Sequence, residues 1–254
     1  MKRIFLRVAY DGSRYSGWQF QPNAVTIEGE LNKAIRMLTG ESVRVIGASR
    51  TDAGVHSLGN VAVFDSETRI PAEKIVYALN QYLPEDIVIQ ESKEVADSWH
   101  PRHCNSKKTY EYRILNRTFP NPTRRADTYH FYRRLNVEKM KKAASCFIGE
   151  HDFQSFCSVH TDVESTVRKI YTCEVEQEDD IIKIRICGAG FLYNMVRIIA
   201  GTLIQVGTGT IPSDAIPYIL KRKNRSAAGP TAPANALTMI GIEYEEEPYK
   251  VGED

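Results

Sequence analysis

The sequence has few cysteines and no long apolar run. Its 254 residues include five cysteines, an odd number spread widely along the chain. A chain of this length can bury a sufficient core without disulfides, so the thiols are expected to be reduced, as in the cytoplasm. The most apolar stretch, residues 191–206, contains Asn194, Arg197 and Gln205 and is too short to span a bilayer. The sequence therefore predicts neither a disulfide scaffold nor association with a membrane.

The familiar cofactor and hydrolase signatures are also absent. The chain contains no G-x-G-x-x-G, no G-x-x-x-x-G-K-[ST] and no G-x-S-x-G, so nucleotide cofactors and serine-hydrolase chemistry are not expected. His100, His103 and Cys104 are close in sequence, but H-x-x-H-C matches no standard zinc set. A metal-dependent nuclease using His100, His103 and Asp152 stays open as an alternative.

Charge is balanced in total but uneven along the chain. There are 33 Lys and Arg against 32 Asp and Glu. Residues 102–142 carry twelve basic and three acidic side chains, and residues 243–254 carry six acidic and one basic. We call residues 102–142 the basic belt. Such a segment suits a polyanion bound on one face, although a solvated surface of scattered charges would look similar.

The order of elements predicts an α+β fold in two halves. Alternating apolar residues predict a strand over residues 2–10, and further strands are expected over 43–48, 60–65, 87–95 and 237–244. Thr26 and Gly40 are expected to cap the two ends of a helix, Pro71 to open a second one that runs to Leu79, and Ser213 to cap another that runs to Lys221. The second half repeats the order of strand, helix, strands, helices and strand, with a helix expected over residues 191–206. Each half is expected to be an antiparallel sheet with helices on one face, and the domains to be residues 1–105 and 106–254.

The most unusual loop is predicted between two strands at residues 47–56. Asp52 lies there beside Ala53 and Gly54, which leave room for a substrate to approach closely. Arg50, two residues away, favours the ionised carboxylate that a nucleophile or base needs. The structural alternative is that Asp52 only caps its own turn.

Arg197 is the second candidate. It lies within the apolar stretch 191–206, and a buried arginine keeps its charge and is expected to need an anionic partner, which would be a carboxylate. We hypothesise a buried pair of Asp52 and Arg197 between the two halves, although an acid on any neighbouring element could serve. In the basic strand that begins at Lys107, Tyr110 either stacks on a base or faces the core.

These motifs together resemble the TruA-type tRNA pseudouridine synthases. The matches follow the family's order over nearly the whole chain, and the Arg-Thr-Asp-Ala-Gly-Val-His segment is highly specific. They are Tyr-Asp-Gly at 10–12, Gly-Trp-Gln at 17–19, Ser-Arg-Thr-Asp-Ala-Gly-Val-His at 49–56, Lys-Thr-Tyr-Glu-Tyr at 108–112, Gly-Glu-His-Asp-Phe at 149–153, Gly-Phe-Leu-Tyr-Asn-Met-Val-Arg at 190–197, Pro-Ala at 233–234 and Leu237.

The resemblance implies a fold, a reaction and roles for individual residues. It implies the pseudouridine synthase fold, two similar ferredoxin-like domains, and a homodimer that forms the tRNA clefts. The implied reaction is the cofactor-free isomerisation of uridine to pseudouridine at positions 38, 39 and 40 of the tRNA anticodon stem-loop. Asp52 would be the nucleophile or base, Tyr110 would stack on the uracil, Arg197 would pair with Asp52, Arg50 would lie beside it, and Leu237 would line the pocket.

A protein of the same fold that binds tRNA without catalysis is the alternative function. It would keep the basic belt but would have no need of Asp52. Loss of the C5 hydrogen of uridine during the reaction separates the two hypotheses.

Overall fold

The computed structural model describes residues 1–158 and 164–245, which form two compact units. The first unit is Met1–Ser106 with residues 239–245, and the second is Lys107–Thr238 in its described part. The elements are β1 (Lys2–Tyr10), α1 (Ile27–Thr39), β2 (Ile46–Gly47), β3 (His56–Ser66), α2 (Ile75–Leu79), β4 (Ile87–Val95), β5 (Ser106–Leu115), β6 (Tyr129–His130), α3 (Val137–Ser145), β7 (Gly149–Asp152), β8 (Val167–Glu178), β9 (Ile181–Gly188), α4 (Met195–Gly207), α5 (Ile216–Arg222) and β10 (Leu237–Tyr244).

The first unit packs two helices on one face of an antiparallel sheet. Its strands lie in the order β4-β1-β3-β10, with β2 on β3, and β1 pairs antiparallel with both β3 and β4. The alternation in β1 directs Ile4, Leu6 and Val8 into a core that α1 and α2 complete. Thr26 accepts a hydrogen bond from the Gly29 amide and Gly40 ends α1 in the left-handed conformation, as the sequence predicts.

The second unit repeats this plan. Its strands lie in the order β5-β9-β8-β7, with β6 beside β5, and the β5–β9, β8–β9 and β7–β8 pairs are antiparallel. Helix α3 packs on β8 and α4. On β5, Glu111 is buried and accepts hydrogen bonds of 2.7 Å from Arg113 and Arg185. Burial acts to raise the pKa of Glu111, but these two guanidinium groups outweigh it and hold the pKa below its usual value.

Three short predicted elements differ from the structure. The strand expected over residues 43–48 is only the two residues of β2. The helix expected from Pro71 starts as a 3-10 turn and is α-helical only in α2. Helix α5 starts after Ala215, and Ser213 is not its cap. Each error lies in a short segment, where tertiary contacts outweigh local propensity.

Two further sequence expectations concern membrane association and the acidic end of the chain. Among the helices of residues 1–158 and 164–245, none has the length and apolar character needed to cross a membrane. The acidic end at residues 243–254 lies mostly outside the described residues.

Candidate functional site

The loop that carries Asp52 connects β2 to β3 and is closed by a tight turn. The Val55 amide donates to the Asp52 carbonyl at 3.1 Å. At the start of the loop, the buried Asn60 side chain donates to the Ser49 carbonyl at 3.0 Å. Asp52 is half-buried, so a ligand can still reach it, and the turn gives its backbone a defined conformation.

The segment after β1 holds this loop in place. The Tyr10 and Thr51 hydroxyl groups lie 2.8 Å apart. The Trp18 amide donates to the Thr51 carbonyl at 3.0 Å, and the Gly54 amide donates to the Tyr15 carbonyl at 3.3 Å. The two motifs at 10–19 and 49–56 are separate in sequence but pack against each other, and the contacts are made by the residues on both sides of Asp52.

Two glycines permit this close packing. A Cβ atom on Gly12 would lie 2.0 Å from the Val55 carbonyl oxygen, far inside van der Waals contact. Gly17 has a φ of +87°, a conformation that other residues rarely adopt, and a Cβ atom there would lie 2.6 Å from the Thr51 carbonyl oxygen. The glycines of the first motif are therefore required by the backbone of the second.

His56 closes the arrangement at the start of β3. It is buried, and its Nδ1 lies 3.2 Å from the Gly12 amide and 3.1 Å from the Asp11 carboxylate. Burial acts to raise the pKa of Asp11, but hydrogen bonds from Ser13 and the charge of His56 outweigh it and lower the pKa. His56 thus holds the end of the Asp52 loop against the turn after β1.

In the second unit, Tyr110 lies in the middle of β5. It is 8% exposed and pairs with Ile186 of β9. Its ring meets the Phe191 ring edge to face, with the centroids 5.2 Å apart. This contact fixes the plane of the Tyr110 ring, which is what a stacking platform for a base needs.

Arg197 lies in the first turn of α4. The prediction that residues 191–206 are one helix with Arg197 in its middle is wrong, because Asn194 adopts the left-handed conformation and α4 begins at Met195. Arg197 is half-buried. Its Nε donates to the Ala232 carbonyl at 2.8 Å, and an Nη donates to the Asn194 side chain at 2.7 Å.

The segment before β10 lies against the same part of the second unit. The Tyr112 hydroxyl donates to the Pro233 carbonyl at 3.0 Å. Burial raises the pKa of Tyr112, with a smaller opposing effect from Arg197. Leu237, the first residue of β10, is 4% exposed. The segment at residues 232–237 is thereby fastened to both β5 and α4.

The candidate residues are divided between the two units. Arg50 and Asp52 belong to the first, and Tyr110, Arg197 and Leu237 belong to the second. The pairing of Asp52 with Arg197 stays a prediction.

The residues of the metal alternative are also divided. His100 and His103 stack in the first unit, with ring centroids 4.0 Å apart. Asp152, in the second unit, accepts from Thr166 and pairs with Lys223 at 2.7 Å. Within residues 1–158 and 164–245, no three His, Cys, Asp or Glu side chains are grouped so that they could hold a metal ion.

Comparison with known proteins decides the family. A family model described as tRNA pseudouridine synthase matches residues 7–103 and 143–245, and so includes both the Asp52 loop and α4. The chain belongs to the tRNA pseudouridine synthase family. Family membership agrees with the α+β fold and with the motif order, which runs through both units.

Relatives within this family match the chain from end to end. The tRNA pseudouridine synthase A of Thermoanaerobacter sp. (strain X514) is 51% identical over 96% of this chain and 100% of its own. That of Bacillus subtilis (strain 168) is 42% identical over 96% of this chain and 99% of its own. A solved archaeal box H/ACA sRNP Nop10–Cbf5 complex matches with a TM-score of 0.32 and 13% identity, over 92% of this chain and 55% of that one.

Two residues that shape the candidate site were not among the residues predicted from the sequence. Asn194 orients Arg197 and also donates to the Ser158 hydroxyl at 2.8 Å. Phe191 braces Tyr110. Both lie inside the 190–197 motif, but a helix that runs without a break from residue 191 gives neither of them a special position.

Proposed function

We propose that this protein isomerises uridine to pseudouridine at positions 38, 39 and 40 of the tRNA anticodon stem-loop, without a cofactor. The observation that carries the proposal is the family match across both units, together with full-length relatives that bear the name tRNA pseudouridine synthase A. The three positions come from the motif resemblance. The well-fastened Asp52 loop supports a catalytic role for that loop.

Asp52 is proposed as the nucleophile or base. The reaction breaks the C1′–N1 bond, turns the uracil and joins C5 to C1′; N1 gains a proton and C5 loses one, so nothing is oxidised or reduced. A carboxylate serves as either nucleophile or base. The tight turn from Asp52 to Val55 fixes the backbone from which the carboxylate projects, and a positioned reacting group favours reaction over random encounter.

Arg50, Arg197 and Leu237 are proposed to complete the pocket. Arg197 would pair with Asp52 and keep it ionised. Its Nε and one Nη are already bound by Ala232 and Asn194, so the guanidinium group is oriented before any ligand arrives. Arg50 is exposed beside Asp52 and would contact the substrate. Leu237 would pack against the base.

The target uridine must leave its helical stack to reach this loop. Base flipping costs a few kcal/mol, and stacking on an aromatic ring returns roughly 1–3 kcal/mol. Tyr110 is proposed to supply this ring and, through its hydroxyl, to receive the C5 proton. The basic belt would hold backbone phosphates, with an affinity that falls as salt rises.

Substitution of Tyr110 separates stacking from proton transfer. We expect Tyr110→Phe to keep the Kd for tRNA and to lower kcat by about a hundredfold or more, the range typical of a lost general acid or base. Tyr110→Ala should also weaken binding, because the ring is gone. Tyr218→Phe, on an exposed tyrosine of the same unit, is the control. An unchanged kcat in Tyr110→Phe would exclude the proton-transfer role.

The protein is further proposed to act as a homodimer in the cytoplasm. The motif resemblance supports the dimer, and the interpretation of the five dispersed cysteines as reduced thiols supports the compartment. Sedimentation equilibrium should give twice the chain mass, and a mass equal to one chain would contradict the dimer.

Tritium release is the direct test of the function. We expect the purified protein to release tritium from tRNA labelled at C5 of uridine and to return the tRNA intact, also in the presence of a chelator. Binding of tRNA without release would favour the non-catalytic alternative. Cleaved tRNA and loss of activity with the chelator would favour the nuclease.

A further inference from the structure

The side chain of Asn194 does not serve the helix that it precedes. Asn194 lies directly before α4, the position from which an asparagine side chain usually accepts a backbone amide of the first turn. In the part of the chain that the structure describes, it forms no such capping bond. Its Oδ1 instead accepts a hydrogen bond from an Nη of Arg197 at 2.7 Å. Asn194 therefore contacts Arg197 in place of capping the helix.

This contact fixes which way the Asn194 amide faces. A guanidinium group has only donors, so the amide oxygen must face Arg197 and the NH₂ group must face away from it. The NH₂ group then needs an acceptor of its own, because a donor that is shielded from water and unpaired costs free energy. Ser158 is that acceptor: its hydroxyl oxygen lies 2.8 Å from Asn194 Nδ2. A reversed amide would lose both hydrogen bonds.

The backbone of Ser158 is bound to the same place as its side chain. The Ser158 amide donates to the Tyr193 carbonyl at 3.2 Å. Two hydrogen bonds, one from the backbone and one to the side chain, thus join Ser158 to two consecutive residues, Tyr193 and Asn194. These contacts cross about 36 positions of sequence, so the orientation of the Asn194 amide depends on the fold of the second unit and not on α4 alone.

The Gly-Glu-His-Asp-Phe motif at 149–153 anchors the segment that carries Ser158. The Asp152 carboxylate accepts the Gln154 amide at 3.1 Å, at the start of a 3-10 turn that leads towards Ser158. Within that turn, Ser155 is fully buried, and its hydroxyl group donates to a backbone carbonyl of α5 at 2.7 Å. The motif, which has no part in the proposed chemistry, thus holds Ser158 in place.

We propose that Ser158 is a positioning residue for the reaction: through the Asn194 amide, it fixes the orientation of the Arg197 guanidinium group. The inference deepens the proposed function and rests on it. Ser158 acts without touching the substrate, because it keeps the acceptor oxygen of Asn194 facing Arg197. A charged group that is oriented before the substrate arrives needs no rearrangement when charge develops in the transition state. Loss of Ser158 should therefore affect the chemical step more than binding.

The kinetics of three serine variants test this role. Ser158→Ala removes the acceptor, and Ser158→Thr keeps a hydroxyl group. Ser145→Ala is the control, because Ser145 is an exposed serine of the same unit whose hydroxyl group also forms a hydrogen bond to the backbone. In Ser158→Ala, we expect kcat for tritium release to fall roughly three- to tenfold, as for one lost hydrogen bond, and KM and Kd for tRNA to stay within about twofold. Ser158→Thr and Ser145→Ala should keep the wild-type kcat.

A double-mutant cycle separates this role from general support of the fold. Asn194→Gly removes the side chain and tolerates the left-handed backbone. If Ser158 acts only through Asn194, then Ser158→Ala should lower kcat no further in a protein that already carries Asn194→Gly. Losses that multiply would show that Ser158 acts by another route, and they would overturn the proposal.

The orientation of Arg197 can also be measured without substrate. The hydrogen bond to Asn194 slows rotation of the guanidinium group about its Nε–Cζ bond, and nitrogen-15 NMR measures this rotation, with Arg197→Lys to assign the signal. Rotation should be faster in Ser158→Ala than in the wild type and in Ser158→Thr. Equal rotation in Ser158→Ala and the wild type would overturn the proposal, while wild-type tritium release leaves the function intact. Wild-type protein that binds tRNA without release would instead overturn the function, and the rotation rates would still decide whether Ser158 orients Arg197.

Discussion

Asp52→Asn should reduce pseudouridine formation at least about a thousandfold, within the range that a lost acid, base or nucleophile costs. The amide matches the carboxylate in size but is neither basic nor nucleophilic. The turn from Asp52 to Val55 uses only backbone atoms and should survive. Tritium release gives the rate, and filter binding gives the Kd for tRNA.

The variant should bind tRNA no more weakly than the wild type, because it removes a negative charge from a site for a polyanion. Asp97→Asn, on an exposed aspartate of the same unit, should have normal activity. Tritium release by Asp52→Asn at the wild-type rate would show that another residue carries the chemistry. Loss of binding together with activity would point to a damaged loop.

Gly12→Ala should destabilise the first unit by about 3 kcal/mol, the upper part of the usual range for overpacking. The added methyl group would lie 2.0 Å from the Val55 carbonyl oxygen, and backbone on both sides has little freedom to yield. The displacement should pass to Asp52 through the turn and lower kcat about a hundredfold in the folded fraction. Urea denaturation and tritium release measure the two effects.

Gly241→Ala is the matched control. It is the same substitution in the same unit, and no atom lies within 4 Å of the added Cβ. Its free energy of unfolding and kcat should stay near the wild-type values. Equal stability in Gly12→Ala and Gly241→Ala would mean that the backbone at Gly12 relaxes freely. The close packing of the motifs at 10–19 and 49–56 would then not require glycine at position 12.

Long elements with regular alternation were predictable from the sequence. The bounds of β1, β4 and β10 match the predicted strands residue for residue. When one face of a strand is buried, the alternation of apolar and polar side chains strongly restricts its register. The α4 helix shows the limit: its apolar residues predict burial correctly but do not show that Asn194 turns the backbone just before Met195.

The motifs of the candidate site were predictable from the sequence, but the contacts that join them were not. The specific Arg-Thr-Asp-Ala-Gly-Val-His segment points to Asp52. The contacts that hold it, such as Tyr10 with Thr51 and Gly12 against Val55, join residues about 40 positions apart. The spacing of apolar residues predicts only local structure, over short stretches of sequence. The reason for glycine at position 12 is therefore visible only in the fold. The same holds for Arg102, whose contact with Gly47 crosses 55 positions.

The most direct test of Asp52-dependent isomerisation is the mapping of pseudouridine in tRNA from cells whose only copy of this protein carries Asp52→Asn. We expect uridine at positions 38, 39 and 40 wherever cells with the wild-type protein have pseudouridine, and unchanged modification elsewhere in the same tRNAs. Pseudouridine at those three positions in wild-type amounts would contradict the assignment of both the reaction and the residue.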